Sequence, residues 1–178
     1  MQKIYIFLIL IADFCMSLRK SYDVSLVSWK STGTSVFDFN ARLLGRERRG
    51  NGTLHLKEDV GDDHFTEELQ TYIDANGSGD YKLLPLSLPQ QPVCQAIDAY
   101  WKYFEASLKY GVNTDCPFAN RTCPLPKGHY YFKDITVKTD DWPLVMPRGY
   151  FKSVISFKKD GQVVSVIEVT CLIADRTI

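Results

Sequence analysis

Apolar and polar positions alternate along most of this chain. The clearest case is Val36 to Leu44. There Phe37, Phe39, Ala41 and Leu43 fall on one side, and Asp38, Asn40 and Arg42 on the other. A period of two marks a half-buried strand. By the same reading, strands are predicted at Tyr22–Trp29, Thr53–Glu58, Phe65–Ile73, Tyr81–Leu84, His129–Lys138, Tyr150–Lys158 and Gln162–Ala174. Turn-forming stretches separate them at Ser31 to Gly33, Arg46 to Gly52, Gly61 to Asp63, Asp74 to Gly79 and Asp160-Gly161. Short strands joined by short turns predict an antiparallel β-sandwich.

The period changes once. Between Val93 and Tyr110, Cys94, Ile97, Trp101, Phe104 and Leu108 recur at three- and four-residue intervals. This is one apolar stripe on a helix, with Asp98, Lys102, Glu105 and Lys109 turned largely away and Gly111 placed to cap it. Pro85, Pro89 and Pro92 interrupt the strand pattern just before it. The fold class is therefore mainly β, with one α-helix.

The first residues follow neither period. Lys3 precedes an unbroken apolar run from Ile4 to Ala12, too short to span a bilayer. With small residues around Cys15 and Ser17, residues 1–17 read as a secretory signal and 18–178 as one domain. A secreted, extracellular protein without a transmembrane segment is expected. Lysine and arginine number 21, as do aspartate and glutamate, so no broad basic surface argues for nucleic acid.

Export changes the reading of the cysteines. Beyond the signal stand Cys94, Cys116, Cys123 and Cys171. An even number in a secreted chain favours two disulfides, with three pairings open. No spacing suits zinc. Sequons at Asn51, Asn76 and Asn120 agree with export, and Asn51 and Asn76 are expected at hairpin tips.

Catalytic chemistry finds little support. His55, His64 and His129 stand far apart in sequence, and Gly77-Ser-Gly79 lacks the spacing of a nucleophile elbow. Asp74 to Gly79 resembles a calcium loop without its closing glutamate, and Asp59, Asp62 and Asp63 read as an acidic turn. Arg46-Glu-Arg-Arg49 reads as a charged hairpin tip, which discourages edge pairing. No catalytic residue, metal or cofactor is expected.

Several segments carry a resemblance. The helix opening at Cys94, Cys123-Pro-Leu-Pro-Lys-Gly-His-Tyr130, the Trp142 loop, Gly149-Tyr150 and the hairpin through Asp160-Gly161 resemble the ML lipid-recognition superfamily, in particular its ganglioside-activator branch. Phe39 to Gly45, Asn51 to Leu56, Asp80 to Leu83, Tyr100 to Phe104, Tyr110 to Asn113 and Lys138 to Pro143 resemble insect secreted chemosensory proteins of that group. The resemblance implies an immunoglobulin-like β-cup with an internal hydrophobic cavity, and a Cys94–Cys123 bond. Elimination then leaves Cys116 with Cys171, with a short Cys116–Cys123 loop as the rival.

The resemblance also implies a monomer that binds a small hydrophobic ligand or lipid and acts near a chemosensory receptor. Cavity residues are expected among Phe65, Leu69, Tyr72, Ile97, Trp101, Phe104, Leu108, Phe132 and Phe151. Trp142, Leu144, Val145 and Met146, in a loop bounded by Pro143 and Pro147 with Gly149 as its hinge, are expected to form a rim or lid. A receptor-contact module with a filled interior is the alternative.

Overall fold

The computed structural model describes residues 20–33 and 35–176. The apolar N-terminal run and Cys15 lie outside them. Among the described residues nine strands and one short α-helix follow in chain order: β1 Tyr22–Thr32, β2 Phe37–Leu44, β3 Arg49–Leu56, β4 Phe65–Asp74, β5 Lys82–Leu83, β6 Leu88–Pro92, α1 Val93–Tyr100, β7 Gly128–Ile135, β8 Gly149–Lys159 and β9 Gln162–Asp175.

The strands form two antiparallel sheets. The larger runs β1-β9-β8-β4-β5, with β6 also paired to β4; the smaller runs β2-β3-β7. The β8–β9 hairpin turns through Asp160 and Gly161, both at positive φ (49° and 81°). Two such residues match the twist of the flanking strands. At Gly33 the chain passes so close to Val164 that a Cβ would lie 2.7 Å from its carbonyl oxygen.

Two elements differ from the sequence reading. The prolines before the helix do not exclude a strand: Pro89 and Pro92 sit within β6, on the free side of β4. An edge strand tolerates proline because its outward N–H groups have no partner to lose. The helix also ends at Tyr100 and tightens to a 3-10 turn at Trp101–Tyr103. That tightening rotates the later residues out of the apolar stripe, since a 3-10 turn has 3.0 residues per turn and not 3.6. Phe104 is accordingly 43 % exposed, whereas Trp101 is buried against Phe118, with ring centroids 5.4 Å apart.

The core lies mainly where β1 crosses the smaller sheet. Trp29 meets Phe39 at 4.8 Å and Phe132 at 6.0 Å; Phe37 stacks on Phe157 at 4.6 Å and meets Phe65 edge-on at 6.4 Å. A second, smaller cluster closes the opposite end of the large sheet. It contains Tyr22, Met146 and Ile173, with Val24, Trp142 and Phe151 packed against them.

One disulfide joins the helix start to the chain before β7: Cys94–Cys123, with Cα atoms 5.6 Å apart. The acidic turn braces this corner. Asp62 accepts the Cys94 N–H at 2.7 Å, Asp59 accepts the Lys127 N–H at 2.7 Å, and Val60 and Leu125 exchange backbone hydrogen bonds at 2.8 Å. The carboxylate of Asp62 thus satisfies a free donor at the helix N-terminus.

The second expected disulfide is not formed. Cys116 and Cys171 are both buried free thiols. Cys116 belongs to the main core cluster, beside the smaller sheet. Cys171 lies within the larger sheet, opposite Leu26 and Phe151. Elimination assumed that every cysteine has a partner, but buried thiols also serve as small apolar side chains. Burial pushes the Cys116 thiol up to about 11 and that of Cys171 to about 12, so neither is a ready thiolate.

Candidate functional site

The large sheet has two unlike faces, set by the alternation of its strands. Its outer face carries Lys158 paired with Glu68 at 2.8 Å, and Lys152 over the rings of Tyr72 and Tyr81 at 5.4 and 4.0 Å. Its inner face carries Phe65, Glu67, Leu69, Thr71 and Ile73 on β4, and Phe151, Ser153, Ile155 and Phe157 on β8. Ser165, Ile167, Val169 and Cys171 continue it on β9.

Two clusters pack the ends of that inner face. Phe157 and Phe65 join the aromatic core, and Phe151 joins the Tyr22–Met146–Ile173 cluster. Between them, Leu69, Ile155, Ile167 and Val169 belong to neither cluster, and each is partly exposed. Between those ends β8 contributes only Ser153 and Ile155 to the inner face. Apolar side chains on the inner side of central strands are normally sealed by a facing layer. Here Leu69, Ile155, Ile167 and Val169 form one partly exposed apolar strip across β4, β8 and β9, the trough.

Three polar groups share this interior. Glu67 is on β4 directly opposite Gln91 of β6. Burial alone raises its carboxyl to about 7. The side-chain nitrogens of Gln91 and Trp29 are buried without a hydrogen-bond partner.

The expected cavity residues distribute unevenly. Leu69 lies in the trough. Phe65, Phe132 and Trp101 are buried, and Ile97 and Leu108 pack on the same core as Phe65 and Phe132. Tyr72 faces outward, its hydroxyl donating to Gln70 Oε1 at 2.6 Å. It cannot share a face with Leu69, because the two stand three positions apart on a strand of period two. Ile155, Ile167, Val169, Glu67 and Gln91 were missed. The alternation that placed Phe65 and Leu69 on one face already put Glu67 between them.

The 140–148 loop is only partly lid-like. Trp142 packs on the end cluster and its indole N–H donates to the Tyr103 carbonyl at 3.1 Å. The Tyr22 hydroxyl donates to the Pro143 carbonyl at 2.6 Å, and Met146 is buried. Only the tip is open, with Leu144 half exposed and Val145 83 % exposed. Gly149, at φ 125°, abuts the backbone of Asp74 and Ala75, where a Cβ would come within 2.6 Å of a carbonyl oxygen.

Other candidates resolve into structure. Asp74, 3 % exposed, accepts backbone N–H groups from Gly79, Asn76 and Ser78 at 2.7, 3.2 and 3.2 Å. Burial raises its carboxyl, but these donors outweigh burial and leave it below the usual value. The calcium-like spacing is therefore a self-capped turn. Among the described residues no group of three or more metal-ligating side chains occurs. His55 and His129 stack at 3.8 Å as cross-strand neighbours on β3 and β7.

Asn76 stands exposed in the turn after β4, and Asn120 is exposed beside Arg121. Asn51 lies inside β3 and not at a tip, its Oδ1 accepting the Asp134 N–H at 2.6 Å. The β2–β3 turn begins and ends earlier than the sequence suggested. A cleft of about 460 Å³ opens beside β1, between Asp23–Leu26, Glu47-Arg48 and Thr136–Asp140. None of the expected ligand residues lines it, and its walls carry mixed charge.

The fold and interior thus define an antiparallel β-sandwich with one short helix, a disulfide-braced corner and a partly open apolar inner face. A family model described as "Protein of unknown function (DUF1091)" matches residues 68–153, from within β4 to within β8. That match takes in Cys94, Cys123, the Trp142 loop and, of the four trough residues, Leu69. A comparison with curated proteins returns no match. Among the described residues no helix is long and apolar enough to cross a membrane.

Proposed function

We propose that this chain is a secreted carrier that binds one small hydrophobic ligand on the inner face of its large sheet. The observation that supports this reading is the set Leu69, Ile155, Ile167 and Val169. They are apolar, face inward on adjacent strands, and are covered by neither core cluster. A tail laid along them would gain ~0.8 kcal/mol for each methylene removed from water. The similarity to insect secreted chemosensory proteins of the ML group makes a lipid, cuticular hydrocarbon or pheromone the ligand class, delivered to or cleared from a receptor. The disulfide and the signal-like first residues suit the extracellular space.

The test is displacement of a fluorescent naphthylamine probe from the full chain by long-chain lipids. Saturable binding that weakens in Ile155→Asp and Ile167→Asp, with the fold retained by circular dichroism, is the expected result. A folded protein that takes up no probe returns the alternative of a secreted protein-interaction module. For that module the exposed tip at Leu144 and Val145 is the observation, since apolar loop tips serve partner contact.

A further inference from the structure

The trough is not uniformly apolar, and its polar members point to the head of the ligand. Glu67 interrupts an otherwise uncharged inner face of β4, between Phe65 and Leu69. A residue directly opposite on an antiparallel neighbour has its Cβ roughly 5 Å away, and that residue is Gln91. The two do not satisfy each other, because the Gln91 amide nitrogen is buried without a partner. A buried donor left unpaired is costly and rare. Alternation turns the next residues, Glu68 and Gln90, to the outer face, where both hold Lys158 at 2.8 Å. The strands thus place two paired polar groups outside, and inside them the Glu67 carboxyl and an unpartnered Gln91 amide nitrogen.

We propose that Glu67 and Gln91 form a polar anchor at one end of the trough, selecting ligands with a neutral hydrogen-bonding head and a long apolar tail. This deepens the carrier reading and rests on it. Gln91 donates to an oxygen of the head. Glu67 accepts from a hydroxyl, or donates to a carbonyl when protonated, which its burial-raised carboxyl permits near neutral pH. A long-chain alcohol answers both groups. A plain alkane answers neither and leaves the Gln91 nitrogen unpaired. An ionised fatty acid meets like charge once Glu67 is itself ionised. Discrimination against a ligand lacking the paired group is the strongest form of selectivity that buried polar groups supply.

The experiment displaces N-phenyl-1-naphthylamine from the full chain with hexadecanol, hexadecane and palmitate at pH 8. Hexadecanol is expected to bind about tenfold tighter than either competitor. Gln91→Leu and Glu67→Leu should each bring the alcohol down to the alkane. Glu67→Gln, which keeps size and hydrogen bonding, should retain the alcohol and admit palmitate. The leucine variants are scored only where thermal unfolding matches the parent chain; the glutamine variant carries the test otherwise. Equal affinity for alcohol and alkane, or an alcohol preference that survives in the variants, overturns the anchor while leaving the carrier intact. Failure of the parent chain to bind the probe overturns both.

Discussion

The two ends of the large sheet's inner face belong to packed clusters; four apolar residues of its middle belong to neither. At the β1 crossing, aromatic rings from both sheets interlock at 4.6 to 6.4 Å. A few residues further along the same strands, Leu69, Ile155, Ile167 and Val169 have no such partners in either cluster. Residue type does not explain the contrast, since both regions alternate and both are apolar. The difference lies in the facing layer. The small sheet lies against β1, and β1 and β2 make the main approach between the sheets. Phe37 of β2 reaches Phe157 of β8, but Leu69, Ile155, Ile167 and Val169 join neither cluster. A strand pattern reports which side is apolar, not whether anything covers it.

Substitution at the packed end should have the largest effect. Phe37→Ala removes a ring stacked on Phe157 and should cost about 3–5 kcal/mol. Ile155→Ala, in the open middle, should cost about 1 kcal/mol and act mainly on probe binding. Urea unfolding of both variants measures this. Equal losses would mean that the middle is as densely filled as the end.

Cys94→Ser should come next. Opening a bridge between residues 29 apart should cost about 3–4 kcal/mol, read as a lower denaturation midpoint or failed secretion. Cys116→Ala and Cys171→Ala test the correction. Thiol labelling of the unfolded chain should report two free thiols, whereas none would restore the second bridge.

Trp142→Ala sharpens the comparison at the other end. Its packing on the end cluster and its bond to the Tyr103 carbonyl predict a stability loss of about 2–3 kcal/mol. A mobile lid would lose almost none. Val145→Ser, at the open tip, should leave the melting temperature unchanged.

The smallest effects follow pH, and they have opposite signs. Glu67 has a raised carboxyl, so its contribution is fully present below about pH 4.3, the usual unfolded value. It is lost as pH rises through about 7. Glu67→Gln should therefore stabilise the protein at pH 8 relative to the parent and flatten that slope. Asp74 is lowered by its backbone donors despite burial. Its contribution is present above about pH 3.9 and lost as pH falls through its folded value. Asp74→Asn should remove stability at neutral pH and blunt the acid-side loss. Melting temperatures across pH 3–9 check both directions, and matching slopes in the parent and Glu67→Gln would place Glu67 in water.

Local pattern by itself determined a good deal. Alternation located the long strands, the Asp160-Gly161 turn and the polar outer face, because strand geometry puts every second side chain on one side whatever the rest of the chain does. The three-to-four spacing placed a helix start at Val93, and the resemblance supplied the Cys94–Cys123 bond. Tertiary structure decided the rest. Pro89 and Pro92 could enter a strand only because β6 pairs at a free edge. The helical stripe stopped at Trp101 because the chain tightened there, and Phe104 was left outside. Cys116 and Cys171 stayed apart because Cys116 packs in the main core beside the smaller sheet, whereas Cys171 lies within the larger one. Tyr72 fell outside and Glu67 inside by the same alternation, but Gln91 comes opposite Glu67 only once β6 has folded back on β4. Whether a face is open depends on the relative position of two sheets, which arises from contacts distant in sequence. No local period encodes it.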